Sequence, residues 1–144
     1  NVTSYCTAGT TTNGCNASMS ASGTPSAGAV SGFTVAASNI EGQKQGLIFY
    51  GISGRNAVVW AAGSKSFLCV KTPVQRTPPI SSGGTVNGCD GVLAVDFNDY
   101  WFTHPASLGQ PIAGQMVDAQ AWFRDPPAPG TTNLSDGWEF QVCP

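Results

Sequence analysis

Short runs in which apolar and polar residues alternate recur along the chain, and this pattern restricts the fold more than any other feature. Residues 33–38 and 138–142 alternate as a strand does when one of its faces packs against a core. Residues 46–52 are apolar on both faces, as in a central strand covered from two sides. Turn residues recur roughly every ten positions. The pattern predicts an all-β fold, an antiparallel β-sandwich of about eight strands.

One segment departs from this alternation. Residues 98–108 begin with Asn98 and Asp99, which favour the first turn of a helix, and continue with a dense group of aromatic residues. Pro105 limits the length of such a helix. We therefore expect a short helical segment that covers an open end of the sandwich.

The loops and the domain organisation follow from composition along the chain. Pro- and Gly-rich residues at 77–88 and 125–130 predict stiff loops with a tendency towards polyproline II. The sequence shows no internal repeat and no change of composition. Residues 1–144 are therefore expected to form a single β-sandwich domain.

Charged residues are scarce, which excludes several classes of protein. Lys and Arg number 6 and Asp and Glu number 8, together 10% of 144 residues, where typical soluble domains carry about 25%. Six scattered cations do not form the basic surface that nucleic-acid binding requires. Because 41% of the residues are hydrophobic, the chain can fill a core and is not expected to be disordered. No apolar run approaches the roughly 18 residues of a membrane span.

Five cysteines in a chain rich in Gly, Ser and Thr favour an oxidising, extracellular location. Asn13-Gly14 is a strong turn signal between Cys6 and Cys15. Cys69 and Cys89 enclose a Pro/Gly-rich loop that has little apolar content of its own. We expect disulfides Cys6–Cys15 and Cys69–Cys89, although sequence alone does not fix the connectivity.

Cys143 has no local partner in this scheme. It is either a buried free thiol in the last strand or a cysteine that forms an intermolecular or alternative disulfide. Zinc binding is disfavoured, because no C-x-x-C motif occurs and His104 is the only histidine. The chain begins at Asn1 without an initiator Met or a leader, and is expected to be a processed product or an excised module.

The sequence shows no set of residues that points to catalysis. His104 is the one base available to a nucleophile, no G-x-S-x-G motif occurs, and most carboxylates lie beside Gly, Asn or Pro, where they commonly cap turns. We expect no enzymatic activity and no cofactor, and an acidic pair that hydrolyses glycosidic bonds is the least favoured reading. Asp96 and Asp99 are the candidates for calcium ligands, although a capping role is favoured.

Aromatic residues suggest a glycan-binding surface. Trp60, Trp122 and Trp138 lie in strand patterns and are expected to be core or half-buried residues. Tyr100 and Trp101 lie outside the strands and are the candidates for an exposed platform on which sugars stack. The same cluster also fits a plug at the end of the sandwich.

Arg76, Arg124 and Asp125 lie next to Pro-rich loops. The favoured interpretation is local pairing that fixes a loop in place. The alternative is contact with a neighbouring subunit.

Several segments together resemble one family, and they cover nearly the whole chain. Residues 119–125 and 135–140 are the most characteristic, and the others are 42–51, 67–71, 75–77, 89–91 and 96–98. As a set they resemble an uncharacterised module at the C-terminal ends of secreted and cell-surface proteins, chiefly of planctomycetes and similar bacteria. The resemblance implies an extracellular location and a fold rather than an activity. It also implies that Cys69, Cys89 and Cys143 belong to the family pattern.

Two functions are therefore expected. The first is a non-enzymatic extracellular structural module, a subunit of a surface layer or filament, whose low charge lets copies pack together. In that case residues 1–5 or 138–142 add to the edge of a neighbour's sheet. The alternative is a carbohydrate-binding or adhesion module of a larger cell-surface protein. The expected partners are copies of the chain itself or glycans, with no nucleic acid and no membrane span.

Overall fold

The computed structural model describes residues 2–107 and 110–144, and in these residues the chain forms twelve strands and one α-helix. The first six strands are β1 (Val2–Tyr5), β2 (Ser18–Gly23), β3 (Phe33–Ile40), β4 (Gln45–Gly51), β5 (Arg55–Val59) and β6 (Phe67–Val70). The others are β7 (Gln75–Arg76), β8 (Ile80–Ser81), β9 (Gly91–Asp96), β10 (Met116–Arg124), β11 (Thr132–Leu134) and β12 (Gly137–Gln141), with helix α1 (Phe97–Thr103) between β9 and β10.

The prediction of an all-β, antiparallel, sandwich-like fold is confirmed, but the number of strands is higher than expected. The four strands beyond the expected eight are β1, β7, β8 and β11, with two to four residues each. Runs of this length rarely show an alternating pattern. Of the four, only β1 lies in a segment, residues 1–5, that was expected to be extended.

The strands form three layers. The large sheet has the order β1-β12-β10-β4-β7, with β8 also paired to β4 and β11 to β10. A three-stranded sheet, β2-β3-β9, lies against one face of it, and the β5–β6 hairpin lies against the other. All of these strand pairs are antiparallel.

The main core lies between the large sheet and the three-stranded sheet. Ile48 and Tyr50 of β4 point into it, together with alternate residues of the other strands: Met19, Phe33, Val35, Ala37, Leu93, Val117, Ala119, Ala121, Phe123 and Phe140. Helix α1 closes one end of this core with three aromatic side chains. The ring centroid of Phe97 lies 5.4 Å from that of Tyr50 and 5.5 Å from that of Trp101.

A second, smaller core lies on the opposite face of the large sheet. Leu47 and Phe49 of β4 point away from the main core and pack with Val70 and Leu134 below the β5–β6 hairpin. Strand β4 is thus buried on both faces, as its uninterrupted apolar sequence predicts. Strand β10 is also covered on both faces, because Gln120 faces the hairpin and bonds to the hairpin backbone.

The two disulfides join Cys6 to Cys69 and Cys15 to Cys89, so the predicted pairing Cys6–Cys15 and Cys69–Cys89 is wrong. The four cysteines are those expected. The turn at Asn13-Gly14 does form, with Gly14 at φ 83°, but it places Thr11 rather than Cys6 opposite Cys15.

The physical reason for the error is the position of β1. This strand runs along β12, and Cys6 follows it directly, below the hairpin strand that carries Cys69. Both bridges therefore connect the first fifteen residues to distant parts of the chain, with sequence separations of 63 and 74 residues. Two disulfides are consistent with an oxidising compartment.

The short helix predicted at 98–108 is found at 97–103, and Leu108 lies outside the described residues. It begins where the Asp96 side chain accepts from the N–H of Asp99, and it ends before Pro105. Over the part of the chain that is described, α1 is far too short to cross a bilayer, and no other helix is long and apolar enough to do so.

Candidate functional site

Tyr100 and Trp101 do not form an exposed platform, so this prediction of a glycan-stacking surface is wrong. Only 5% of Tyr100 and 3% of Trp101 is exposed, because both rings plug the end of the main core. The helix turns Phe102 outward instead, with 62% of its surface exposed. His104 ends the helix and stacks on the ring of Tyr100 at a centroid distance of 4.1 Å.

Asp96 has the capping role that was favoured over calcium binding. Its carboxylate accepts from the backbone N–H groups of Gly32 (2.7 Å), Phe33 (3.3 Å) and Asp99 (3.1 Å). Burial raises the pKa of Asp96, but these bonds outweigh it and hold the pKa below its usual value. Asp99 is exposed on the first turn of α1. In residues 2–107 and 110–144, no group of three or more His, Cys, Asp or Glu side chains is placed to hold a metal ion.

Asp125 fixes a loop and is not available to a neighbouring subunit. Its side chain is buried and accepts from the backbone N–H of Thr12 (2.9 Å), the hydroxyl of Thr12 (2.7 Å) and the amide of Asn133 (2.7 Å). The predicted inter-subunit contact at Asp125 is therefore wrong, because these bonds hold it inside the molecule. Arg124 is exposed and donates to the hydroxyl of Thr131 at 3.2 Å.

Cys143 is a free thiol, and its residue is exposed rather than buried. The backbone around it is fixed, because the N–H of Cys143 donates to the carbonyl of Pro25 (2.8 Å) and that of Ala27 donates to the carbonyl of Cys143 (2.9 Å). Of the two interpretations, the buried thiol is wrong. The exposed residue leaves the intermolecular disulfide as a prediction.

Most of the carboxylates connect segments that are distant in the chain. Asp136, for example, accepts from the N–H of Met19 on β2 (2.8 Å) and from the hydroxyl of Ser4 on β1 (3.1 Å). Six of the eight carboxyl side chains, all within the described residues, bond to another group: Glu41, Asp90, Asp96, Asp125, Asp136 and Glu139. The acidic residues of this chain thus act chiefly as internal cross-links.

One carboxyl pair was missed by the sequence reasoning. Asp118 on β10 lies opposite Glu139 on β12, and Asp118 has no exposed surface. Burial, followed by the charge of the neighbouring Glu139, raises the pKa of Asp118 to about 6. Among the described residues, neither carboxyl oxygen of Asp118 has a hydrogen-bond partner. Arg55 bonds to Glu139 at 2.6 Å and lowers the pKa of that residue. The pair is closed to substrate because Asp118 is sealed inside the protein.

A groove beside the second core is the best candidate for a binding site. It has a volume of about 200 Å³ and is lined by residues of β4, β6, β7 and β10 and of the segments next to them. The half-buried rings of Trp60 and Trp122 line it, together with Phe49, Leu68, Val74 and the guanidinium-bearing Arg76. Apolar walls with few polar groups are typical of ligand sites.

The local structure holds the two indole rings in place. Trp122 lies on β10, opposite Leu47 on one side and Leu134 on the other. Trp60 follows β5, and its indole N–H donates to the hydroxyl of Thr132 at 2.7 Å. The prediction that both residues are core or half-buried is confirmed, but sequence reasoning did not place them in one groove.

No protein-family model, no curated protein and no solved structure matches this chain. The groove and the strand edges therefore carry the functional inference. The signal for the groove in the sequence was weak, because Trp60 and Trp122 are 62 positions apart and line one groove only because the hairpin packs against the large sheet. The position of Arg76 next to a Pro-rich loop had marked it as a candidate contact residue, but not as part of a groove.

Proposed function

We propose that this chain is a non-enzymatic extracellular structural module that assembles with copies of itself, as a subunit of a surface layer or filament. The observation that carries the proposal is the edge strand β1. Among the described residues, β1 pairs along one side only, with β12. Its residues Val2–Tyr5 are uncharged and contain no Pro, and 49% of Val2 is exposed.

Edge strands of this kind are unusual, because natural proteins protect their edges with charges, prolines, bulges or very short strands. The opposite edge of the large sheet has such protection, since β7 and β8 have two residues each and are separated by Pro78 and Pro79. Strand β2 is protected by the carboxylate of Asp136, which accepts from the N–H of Met19. Strand β1 is also short, at four residues, but its own residues include no charge, no Pro and no bulge, which favours a strand of a second copy as its partner.

The covalent structure and the resemblance support an extracellular location. The two disulfides are compatible with secretion, and the resemblance to planctomycete secreted modules supports a bacterial cell surface. The exposed thiol of Cys143 is available to cross-link copies that have assembled. The internal use of most carboxylates fits a rigid building block better than an enzyme.

Sedimentation and electron microscopy at increasing protein concentration test the assembly. We expect the chain to form oligomers or filaments, and Val2→Lys to abolish them because a charge on β1 opposes pairing with another strand. Val30→Lys is the matched control, because 54% of Val30 is exposed in a loop outside β1. Monomers at every concentration, or equal effects of the two substitutions, argue against assembly through β1.

The second candidate is a carbohydrate-binding or adhesion module. The groove lined by Trp60 and Trp122 favours it, because aromatic rings provide the apolar contact surface on which sugar rings stack. Binding to an array of oligosaccharides, followed by loss of binding in Trp122→Ala and retention in Phe102→Ala, supports this function. Phe102 is a suitable control, because it is an exposed aromatic residue outside the groove.

A further inference from the structure

We propose that the groove between Trp60 and Trp122 binds an acidic saccharide, with the sugar rings against the indoles and a sugar carboxylate on Arg76. The inference rests on the second proposed function and specifies its ligand class. It is independent of assembly through β1.

Arg76 is placed for this role by the register of the sheet. Its Cα lies opposite that of Phe49 on β4, and residues directly opposite each other in antiparallel strands point to the same face. That face is the one that packs in the second core, and Arg76 lines the groove beside it. The carbonyl of Arg76 accepts from the hydroxyl of Tyr100 at 3.2 Å, which fixes the backbone below the side chain.

The guanidinium of Arg76 is uncompensated. In the described part of the chain it takes part in no ion pair, since Arg55 and Glu139 form the one that occurs there. No acidic side chain lines the groove. An exposed guanidinium over apolar walls favours an anion, and its planar fork matches a carboxylate through two parallel hydrogen bonds.

The aromatic residues of the groove indicate that the anionic group belongs to a sugar. The indole N–H of Trp60 is already bonded to Thr132, so Trp60 offers carbon surface rather than a donor to the groove. Phe49, Leu68 and Val74 add further apolar surface. At about 200 Å³ the groove is smaller than the roughly 300–1,000 Å³ pockets that hold drug-sized ligands, which suits one or two sugar rings.

Isothermal titration calorimetry with charged saccharides and their neutral counterparts tests the inference. The probes are tetrasaccharides of galacturonate, of mannuronate, of guluronate and of hyaluronan, each compared with its methyl ester, which has the same rings without the charge. We expect at least one acid to bind, its ester to bind at least about tenfold more weakly, and the affinity of the acid to fall with salt.

Substitutions separate the charge from the aromatic surface. Arg76→Gln is expected to weaken binding of the acid at least about tenfold and to leave binding of the ester unchanged. Arg124→Gln is the matched control, because Arg124 is an exposed arginine outside the groove, and we expect no change. Trp122→Leu is expected to weaken both ligands, with thermal unfolding used to confirm that the variant is folded.

The possible failures are distinguishable. If acids and esters bind equally and Arg76→Gln has no effect, the charge recognition is overturned while carbohydrate binding stands. If the oligosaccharide array gives neutral ligands but none of the four acids binds, the acidic class is overturned in the same way. If no saccharide binds at all, both the inference and the second proposed function fail.

Discussion

Asp118 and Glu139 lie directly opposite each other on β10 and β12, one carboxyl group fully buried and the other bonded to Arg55. Burial favours the protonated, neutral form of Asp118, and the guanidinium of Arg55 favours the ionised form of Glu139. The guanidinium carbon of Arg55 also lies 4.6 Å from the ring centroid of Tyr5, so this cluster connects β1, β10 and β12 to the hairpin.

The pair makes stability dependent on pH. The pKa of Asp118 rises from 3.8 to about 6 on folding. The contribution of Asp118 to the stability of the fold is therefore fully present below the unfolded pKa and is lost as the pH rises through about 6. Asp118→Asn keeps a neutral donor in place of the protonated acid. Between pH 4 and 7 the wild type is expected to lose stability relative to Asp118→Asn, by an amount on the order of 2–3 kcal/mol. Urea unfolding at several pH values measures the difference.

Asp90→Asn is the control for this experiment. Hydrogen bonds from the backbone and the hydroxyl of Thr85 lower the pKa of Asp90, so that this carboxylate is ionised in both states above pH 5. The difference between wild type and Asp90→Asn should therefore stay constant from pH 5 to 7. If the free energies of unfolding of wild type and Asp118→Asn change in parallel with pH, the assigned protonation of Asp118 is contradicted.

Each disulfide closes a long loop and is expected to stabilise the fold strongly. For separations of 63 and 74 residues the loss of chain entropy corresponds to about 4 kcal/mol per bridge. The double substitutions Cys6→Ser with Cys69→Ser, and Cys15→Ser with Cys89→Ser, should each lower the free energy of unfolding by about 2–5 kcal/mol. Cys143→Ser, a change of an unpaired cysteine, should stay within about 0.5 kcal/mol.

Peptide mapping under non-reducing conditions checks the connectivity directly. The fragment that contains Cys6 should be linked to the fragment that contains Cys69. Recovery of a disulfide between Cys6 and Cys15 would show that the pairing expected from the sequence is the native one.

The buried carboxylate of Asp125 and the neighbouring exposed Arg124 form a matched pair for mutation. Asp125→Ala leaves the N–H of Thr12 and the amide of Asn133 without their acceptor. It should lower the free energy of unfolding by an amount on the order of 2–4 kcal/mol. Arg124→Ala should change stability by no more than about 0.5 kcal/mol. Chemical denaturation gives both values. Equal costs would mean that Asp125 does not fix the loop.

Adjacent aromatic residues of α1 provide a similar comparison. Trp101 is buried in the main core, and Trp101→Ala should lower the free energy of unfolding by about 3–5 kcal/mol. Phe102 is exposed, and Phe102→Ala should have an effect of at most about 1 kcal/mol. Thermal unfolding of the two variants distinguishes them, and a larger loss in Phe102→Ala would contradict the orientation of the helix.

The strands and the helix that are marked by a local sequence pattern could be predicted. The apolar run at 46–52 identified a strand buried on both faces, and the capping residues near 98 identified the helix that closes the core. The alternating segments also identified the class of fold. Strands such as β7, with two residues, exist only because β4 offers a partner, and no local pattern records that.

The candidate site was far less predictable, because it depends on which distant residues meet. Cys6 has a nearer cysteine in sequence, yet β1 carries it to Cys69. For Tyr100 and Trp101 the sequence left both a platform and a plug open, because the two have the same composition, and the plug is the arrangement that forms. The groove requires Trp60 and Trp122 to be brought together by the sheet, and the sequence distance between them hides this.

The pairing of β1 with β12 also sets the order of events when the chain folds. Val2 lies opposite Phe140, so the large sheet remains incomplete until nearly all of residues 2–141 have been synthesised. Contacts between such distant positions are formed late and slowly. Cys6 and Cys15 are synthesised before Cys69 and Cys89, and until β1 pairs with β12 the nearest thiol in sequence to each is the other. A bond formed between them at that stage would have to be exchanged for the two native bridges, which thiol–disulfide exchange allows.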